Sequence, residues 1–442
     1  MTSKQLTACL LVYNTIPDDP RVRRQGDVLS EQGWNVVGIG LPGGRDTSPE
    51  WLKEEKGEAS PLGEVQRSLL YKAVRIVLPE AGDGVQVGVV RKYVRTIIRI
   101  VFRAIAIIKF ALLHALVLIR PSTHNGVYWR VLPVAATLYE RARLVKADVW
   151  VANDWNTLPI ALRLARENGG AILYDTHEFA VDEYDQKLLW RLLRKPLVQE
   201  IEKEALKSDE TVVVSTVSDG IASALAVLYD LPSKPMVVRN TPKRVDVTAR
   251  PVERPIKILY HGVVAPGRGL EVSIEAMRLL GDGYHLSIRG PADPSYAEEL
   301  NRQVTRAGLA DRVALIPPVP MTDLVAQATV FDIGLFSLPG HSRHNQFALP
   351  NKLFEYIGAG LCVCVSALPE MKAIVEHYNV GKVFEDETAQ GIATTIGKLT
   401  PEEIYQYKRK SLAAAEDLCW ESESRKFVKM LSDVTDMHRA AS

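Results

Sequence analysis

A lysine and a glutamate in the segment from Leu349 to Tyr356 could bind a nucleotide sugar. The segment predicts a helix that begins near Asn351, so Lys352 and Glu355, three residues apart, lie on one face. A cation at the mouth of a strand-helix unit can neutralise a diphosphate, and a carboxylate can accept hydrogen bonds from both ribose hydroxyls. The alternative is an ordinary surface ion pair, because a single motif is weak evidence.

Glycines follow the first predicted strand of the second half of the chain. The loop from Gly262 to Gly269 is close to a phosphate-binding P-loop, but Arg268 stands where lysine is needed and no hydroxyl is offered to magnesium. Its glycines let backbone N–H groups approach an anion, and Arg268 adds positive charge. Gly290 follows the next strand and suits close approach of a ligand. The loop around Val319 could meet a flat base through its backbone, or it could be a rigid turn.

A histidine leaves a predicted strand in the first half. His177 stands in the run Tyr174-Asp175-Thr176-His177-Glu178, where it could face a reacting centre. The structural alternative is a histidine that is held in place by Asp175 or Glu178.

Three further polar residues follow predicted strand ends of the first half. Asn14 and Asp19 lie between the first strand and the next helix, and Asp154 follows a later strand. Asp154 could hydrogen-bond sugar hydroxyls. Asp19 could be simply an N-cap, with Pro20 at the first helical position.

Two series of alternating strands and helices must position these residues. The first series runs from the predicted strand 7–13 to the strand 236–239, and the second runs from the strand 256–260 to the strand 361–365. The segment 240–255 between them holds three prolines and many charges, so it is a predicted linker. The pattern predicts two doubly wound parallel sheets, whose ligands bind at the carboxyl ends of the strands. The natural site is therefore the cleft between them.

Composition sets limits on the class of protein. A chain of 442 residues with 47% hydrophobic and 24% charged residues is typical of a globular protein of two or three domains. The net charge of +1 argues against a general nucleic-acid binder. The four cysteines form no CxxC pair, which favours buried free thiols in a reducing compartment. Met1 to Gln5 lacks the layout of a signal peptide, so we expect a cytoplasmic protein.

A basic and apolar insert interrupts the first series. No Asp or Glu occurs from Gly84 to Tyr139, and arginines recur every four residues at Arg91, Arg95, Arg99 and Arg103. Only Lys109 and His114 interrupt the apolar run 104–119, which is shorter than the roughly 20 residues that span a bilayer. Residues 91–120 therefore predict an interfacial helix on an anionic membrane. The alternative is a buried helix whose arginines reach the surface.

In this combination the chain resembles the family-four glycosyltransferases of the GT-B fold. The resemblance covers nearly the whole chain except 43–125, and its most specific piece is the segment 349–356. The other matching pieces are Asp19-Pro20-Arg21-Val22, Tyr174 to Glu178, Val238-Arg239-Asn240-Thr241-Pro242, Arg268-Gly269 and Trp420-Glu421. It implies an α/β protein of two Rossmann-like domains facing a central cleft: residues 1–245 with the insert 84–125, residues 256–419, and a last helix 420–442 that crosses back to the first domain.

The resemblance also implies the reaction. A sugar would move from a nucleotide-diphosphate donor to a hydroxyl, with anomeric retention, no cofactor and no obligatory metal, and the sequence has no Asp-x-Asp motif. Arg268 and Lys352 would neutralise the leaving diphosphate, Glu355 would hold the ribose and His177 would sit beside the transferred sugar. The other donor-binding residues would be Asn351, Gly262, Gly269, Gly290 and Val319. The acceptor would bind the first domain near Asn14, Asp19 and Asp154.

Two departures from the family pattern concern the sugar. Many relatives carry a second glutamate where this chain has Phe347, and Thr15-Ile16-Pro17 replaces a frequent Gly-Gly pair.

We predict a peripheral membrane enzyme at the inner face of the cell membrane that extends a lipid-linked or polymeric glycan of the cell envelope. A nucleotide-sugar epimerase would need acid and base carboxylates at the sugar, and the missing glutamate speaks against it. Phe347 favours a third reading, a non-catalytic partner subunit, whereas Lys352, Glu355 and His177 disfavour it.

Overall fold

The computed structural model describes residues 5–44, 47–52 and 85–441, which form two six-stranded parallel sheets. The strands of the first sheet, in the order β2-β1-β3-β4-β5-β6, are β1 Thr7–Thr15, β2 Asn35–Leu41, β3 Val149–Asn153, β4 Ala171–Thr176, β5 Val212–Thr216 and β6 Met236–Val237. The strands of the second, in the order β12-β11-β10-β7-β8-β9, are β7 Ile256–His261, β8 Tyr284–Arg289, β9 Val313–Ile316, β10 Ile333–Phe336, β11 Cys362–Ser366 and β12 Gly381–Phe384. The central strands are apolar along their length because helices cover both faces of each sheet.

Helices connect the strands in both halves. In the first half they are α1 Pro20–Glu31, α2 Val85–Ile119, α3 His124–Val131, α4 Pro133–Ala142, α5 Leu158–Asn168, α6 Lys195–Leu206 and α7 Asp219–Tyr229. In the second half they are α8 Leu270–Leu280, α9 Pro294–Arg306, α10 Leu324–Ala328, α11 Arg343–Gln346, α12 Asn351–Gly358, α13 Pro369–Tyr378, α14 Ala389–Gly397, α15 Pro401–Ala414 and α16 Trp420–Ala441. A π-helical turn, Trp190–Arg194, precedes α6. The predicted fold class, two doubly wound parallel sheets, is confirmed.

The last helix, α16, packs on the first sheet although it follows the second. Phe427, Leu431 and Val434 are fully buried in one core with Leu10 and Leu173 of the first sheet. The backbone N–H of Trp420 donates to the carbonyl of Pro242 (2.8 Å), which fixes the start of the helix beside the segment that links the two halves. The chain thus crosses between the halves twice.

The insert contributes the 35-residue helix α2. The side chains of Arg91, Arg95, Arg99 and Arg103 lie outside the described residues, as does the segment 53–84. Over the described residues, no helix combines the length and the apolar character needed to cross a membrane. All four cysteines are buried and free.

Candidate functional site

Helix α12 presents one face to the core and the other to the cleft between the sheets. Leu353, Phe354, Tyr356 and Ile357 are buried. The hydroxyl of Tyr356 donates to the carbonyl of Leu335 (3.2 Å) and accepts from the backbone N–H of His261 (3.1 Å). These two bonds tie the helix to β10 and β7, so the residues on its opposite face lie at the carboxyl ends of both strands.

Lys352 lies on that opposite face between two aromatic rings. Its Nζ is 4.0 Å from the ring centroids of both Tyr260 and Phe336. A Cβ on Gly262 would come within 3.1 Å of Nζ, so the glycine leaves room for the ammonium group. Burial and the positive charge of Arg268 hold the pKa of Lys352 well below its usual range. Among the described residues, no carboxylate lies within 4.0 Å of Nζ, so the ammonium group has no protein counter-charge at this distance.

Glu355 is held by residues that sequence reasoning missed. Its Oε2 is 2.9 Å from Nε2 of His261, the last residue of β7, whose ring stacks on Tyr356 at 4.8 Å. Burial opposes ionisation of Glu355, but His261, Arg24 and Lys352 together lower its pKa below the ordinary value. Glu355 is therefore a carboxylate at neutral pH and can accept hydrogen bonds.

The glycines of the following loop allow backbone segments to touch. Gly269 has φ +70°, and a Cβ there would overlap the carbonyl oxygen of Ser337. Gly290 has φ +151°, and the space beside its Cα is filled by the carbonyl of Gly262. The close approach that Gly290 makes is thus to protein backbone. Arg268 is exposed, and within the described ranges no carboxylate lies within 4.0 Å of its guanidinium.

On the first domain, His177 is clamped between two carboxylates. Its Nδ1 is 3.3 Å from Oδ2 of Asp154, and its Nε2 is 3.4 Å from Oδ2 of Asp175. Its backbone N–H also donates to Oδ1 of Asp154 (3.1 Å). Burial disfavours the charged ring, but Asp154 and Asp175 outweigh burial and raise the pKa of His177 to about 9. The histidine is therefore a fixed imidazolium at neutral pH.

Asp175 anchors this arrangement from inside the domain. It is fully buried and accepts from Nε (2.5 Å) and Nη2 (2.6 Å) of Arg21, from Nε2 of Gln25 (2.6 Å) and from Oγ of Ser215 (2.6 Å). Arg21 also donates to the carbonyl of Val238 (2.8 Å). The bidentate pair is well satisfied, so Asp175 positions His177.

The acceptor-side candidates occupy different places. Asp19 caps α1, accepting from the N–H groups of Arg21 and Val22 (both 3.1 Å), so the predicted N-cap is confirmed. Asp154 has φ +66° and turns its carboxylate to His177. Asn14 is exposed and accepts from the backbone N–H of the next residue.

A cavity of about 300 Å³ lies between the two domains. Four predicted site residues line it: Asp19, His177, Arg268 and Asn351. The other predicted site residues do not line it, although Lys352 and Glu355 follow Asn351 on α12; they are Lys352, Glu355, Gly262, Gly269, Gly290, Val319, Asn14 and Asp154. Glu178 also lines the cavity, where burial and the charges of Asp154 and Glu183 raise its pKa to about 8.

Phe347 makes part of the cavity wall apolar. Its ring meets that of Phe179 edge to face at 5.7 Å, and the guanidinium of Arg343 lies 5.8 Å from its centroid. Its carbonyl accepts from Oγ of Ser218 (3.1 Å) in the first domain. A phenylalanine here joins the two domains and offers no hydrogen bond to a sugar through its side chain.

Comparisons with known proteins place this fold. Residues 255–401 match the family model described as Glycosyl transferases group 1. A search by sequence among curated proteins found no match. The sucrose-phosphate synthase from Thermosynechococcus elongatus superposes with a TM-score of 0.65 at 15% identity, over 99% of this chain and 100% of that one.

Two further solved structures are similar over most of their length. Anabaena HepE in complex with UDP and glucose has a TM-score of 0.62 at 12% identity, covering 97% of this chain and 100% of that one. WaaG, a glycosyltransferase involved in lipopolysaccharide biosynthesis, has a TM-score of 0.56 at 14% identity, covering 96% and 99%. The predicted GT-B fold and the resemblance to GT-B glycosyltransferases are confirmed.

Proposed function

We propose that this GT-B protein is a retaining glycosyltransferase that moves a sugar from a nucleotide-diphosphate donor to a hydroxyl of a lipid-linked or polymeric glycan. The observation that carries the proposal is the pair of cations at the carboxyl edge of the second sheet. Lys352 and Arg268 have no carboxylate within 4.0 Å in the described part of the chain, and Lys352 is held in a desolvated position against Tyr260 and Phe336. Cations without a counter-charge suit a diphosphate.

The donor then fits along the strand ends. The diphosphate lies at Lys352 and Arg268, beside Gly262, and the ribose hydroxyls donate to the ionised Glu355. Asn351 begins α12 next to the cavity, and the base reaches the turn around Val319 after β9. As the bond between the anomeric carbon and the diphosphate breaks, the two cations stabilise the growing negative charge, which is the largest contribution in this kind of catalysis.

The cavity supports a reaction without a covalent protein intermediate. Its two carboxyl groups are poor nucleophiles, because Asp19 caps α1 and Glu178, with its pKa near 8, holds a proton at neutral pH. The acceptor oxygen bonds to the anomeric carbon, the diphosphate oxygen leaves, and the acceptor proton passes to the diphosphate. Such a same-face exchange retains the anomeric configuration. His177, fixed as an imidazolium, orients the sugar through a hydroxyl.

The acceptor approaches from the first domain, and the membrane faces that domain. Helix α2 exposes apolar side chains in the acid-free part of the chain, which supports binding to an anionic membrane surface through residues 91–120. Buried free thiols support a cytoplasmic location. The similarity to WaaG, which is involved in lipopolysaccharide biosynthesis, supports a cell-envelope glycan as the product. We propose no cofactor and no required metal.

A non-catalytic partner subunit is the second candidate, and the apolar Phe347 favours it. A thermal-shift panel of UDP-, GDP-, ADP- and dTDP-sugars separates the two. If the protein is an enzyme, one donor should raise the melting temperature of the wild type but not that of Lys352→Ala or Glu355→Ala. The control is Lys372→Ala, which removes a surface lysine that pairs with Glu385. The same donor should stabilise this control as it does the wild type. A panel without any shift would support the partner subunit. Release of nucleoside diphosphate that persists in EDTA would support metal-independent transfer.

A further inference from the structure

A carboxyl group of the first domain opens into the cavity between the domains. Glu178 follows the end of β4 by two residues, lines the cavity and has 47% of its side chain exposed. Its Oε2 lies 3.5 Å from Nδ1 of His344 on α11 of the second domain, which is too long for a strong hydrogen bond. Over the described residues, the structure gives this carboxyl group no other ion pair. A ligand in the cavity can therefore reach it.

The other polar side chains on the first-domain side of the cavity already have protein partners, as far as the structure describes the chain. Three of them form a helix cap, a buried ion pair and an imidazolium between two carboxylates: Asp19, Arg21 and His177. The side chain of Asn240 accepts from the guanidinium of Arg24. Glu178 is thus the polar side chain that a ligand can engage without breaking a contact within the first domain.

The second-domain side of the cavity offers little to a sugar hydroxyl. Arg268 is the cation that we assign to the diphosphate, and the amide of Asn345 donates to the carbonyl of Pro339 (2.6 Å). Phe347 and Leu349 are apolar. A hydroxyl that leaves water without finding a new partner costs binding free energy. Recognition of the transferred sugar therefore needs a polar group from the first domain.

The charges around Glu178 keep its carboxyl group neutral. The titratable groups beside it are Asp154, His177, Glu183 and Tyr184 on the first domain and Arg268 and His344 on the second. Burial contributes most, and the negative charges of Asp154 and Glu183 add to it, so the pKa of Glu178 rises to about 8. The positive charges of His177 and Arg268 act in the opposite direction and are outweighed. His344 is itself neutral at pH 7, because burial and Arg268 lower its pKa. A neutral carboxyl group both donates and accepts a hydrogen bond, as a sugar hydroxyl does.

We propose that Glu178 binds the transferred sugar directly, through a hydrogen bond from its carboxyl group to one sugar hydroxyl, and so determines which sugar is accepted. This inference rests on the proposed function, because it needs a nucleotide sugar in the cavity. Lys352, Arg268 and Glu355 would bind the nucleoside diphosphate, whereas Glu178 would touch the part that differs between donors. A site built to bind a hydroxyl in this way rejects the analogue that lacks it.

Calorimetric titration of the full chain separates the sugar contact from the nucleotide contacts. The probes are UDP-glucose, UDP-N-acetylglucosamine, GDP-mannose, ADP-glucose and dTDP-glucose, each beside its nucleoside diphosphate. Glu178→Leu should raise the dissociation constant of the nucleotide sugar that binds by about 5- to 150-fold and change that of the nucleoside diphosphate by less than about twofold. Glu178→Gln keeps a donor and an acceptor, so its affinity for the nucleotide sugar should stay within about threefold of wild type.

A matched control and a pH series exclude general effects. Glu275 on α8 is 40% exposed and pairs with Arg278, so Glu275→Leu should change neither affinity. Glu178 loses its proton as the pH rises through about 8, and the ionised form can no longer donate. Between about pH 6.5 and about pH 8.5, the dissociation constant of the nucleotide sugar should therefore rise about fourfold more in wild type than in Glu178→Gln. This range lies below the pKa of His177, which is about 9.

Deoxy analogues of the donor identify the hydroxyl that Glu178 binds. Each analogue lacks one hydroxyl of the transferred sugar. One of them should bind wild type more weakly than the parent donor does, and Glu178→Leu should weaken its binding no further. The remaining analogues should be as sensitive to Glu178→Leu as the parent donor is.

Four outcomes would overturn the proposal. Equal losses of affinity for the nucleotide sugar and the nucleoside diphosphate in Glu178→Leu would show a general effect on the site. No loss for either ligand would show that the sugar is bound without Glu178. Tighter binding of the nucleoside diphosphate by Glu178→Gln would show an ionised carboxylate that repels the diphosphate. Binding of a nucleoside diphosphate but of no nucleotide sugar by wild type would refute the sugar contact while the nucleotide site stands. If neither kind of ligand binds, the proposed sugar transfer fails as well.

Discussion

Replacing Lys352 by Met tests whether this lysine binds a ligand or stabilises the folded protein. Methionine has a similar length and can remain between the rings of Tyr260 and Phe336. It removes the positive charge, the feature that we assign to the diphosphate. The stability of the ligand-free protein should therefore change little or rise, whereas the affinity for the ligand should fall.

The contacts of Lys352 set the size of both effects. Each cation–π contact contributes about 0.5–2 kcal/mol, and sulfur–aromatic contacts of methionine restore about 0.3–1.5 kcal/mol each. Since the pKa of Lys352 is lowered in the folded state, its proton is bound less tightly than in the unfolded chain, and the charge destabilises the fold at neutral pH. The free energy of unfolding of Lys352→Met should therefore stay within about 1 kcal/mol of wild type or rise.

Donor affinity should fall at the same time. A charge-assisted hydrogen bond to phosphate contributes about 1.5–3 kcal/mol, so the dissociation constant should increase roughly 10- to 150-fold. Urea unfolding and calorimetric titration with the nucleoside diphosphate measure the two quantities, and Lys372→Met should change neither. A loss of more than about 2 kcal/mol of stability with unchanged affinity would show that the lysine is a structural clamp.

Three further changes test the framework around the site. Asp175→Asn leaves the buried charge of Arg21 unpaired and should lower the free energy of unfolding by about 3–5 kcal/mol in urea; a loss under about 1 kcal/mol would contradict this. Gly269→Ala should be less stable than Gly281→Ala by calorimetry, because both glycines have φ near +70° but only the first would overlap a neighbouring backbone; equal losses would contradict the packing argument. The pKa of His177 is raised from 6.5 to about 9, so its contribution to stability is complete below pH 6.5 and is lost as the pH rises through 9. His177→Gln should flatten that part of the stability–pH curve, and an unchanged slope would refute it.

The local pattern of apolar and turn residues was sufficient to predict most of the helices and strands. The strands predicted at 7–13, 256–260 and 361–365 lie within two residues of the observed bounds of β1, β7 and β11, because each is an apolar segment between turn residues. The π-helical turn Trp190–Arg194 before α6 is not revealed by the spacing of apolar residues in the sequence. Strand β6 ends at Val237, two residues before the predicted end.

Contacts between distant segments could not be read from the sequence. His261 holds Glu355 across 94 positions, and no local motif marks it. The parallel register of β3 and β4 pairs Asn153 with Asp175, which brings Asp154 beside His177. Of the two residues predicted to hold His177, Asp175 is confirmed and Glu178 is not in this role. The structure adds Asp154 as a second partner of the histidine, and the contact of Asp154 with sugar hydroxyls stays a prediction.

The release of nucleoside diphosphate from nucleotide sugars tests the central claim most directly. It would be followed by phosphorus NMR for wild type, Lys352→Met and Glu355→Gln in the presence of phosphatidylglycerol vesicles. We predict that wild type releases the diphosphate from one donor and that both variants lose this activity while remaining folded. Release at the wild-type rate by both variants, or no release from any donor by wild type, would contradict the assignment of this cleft to sugar transfer.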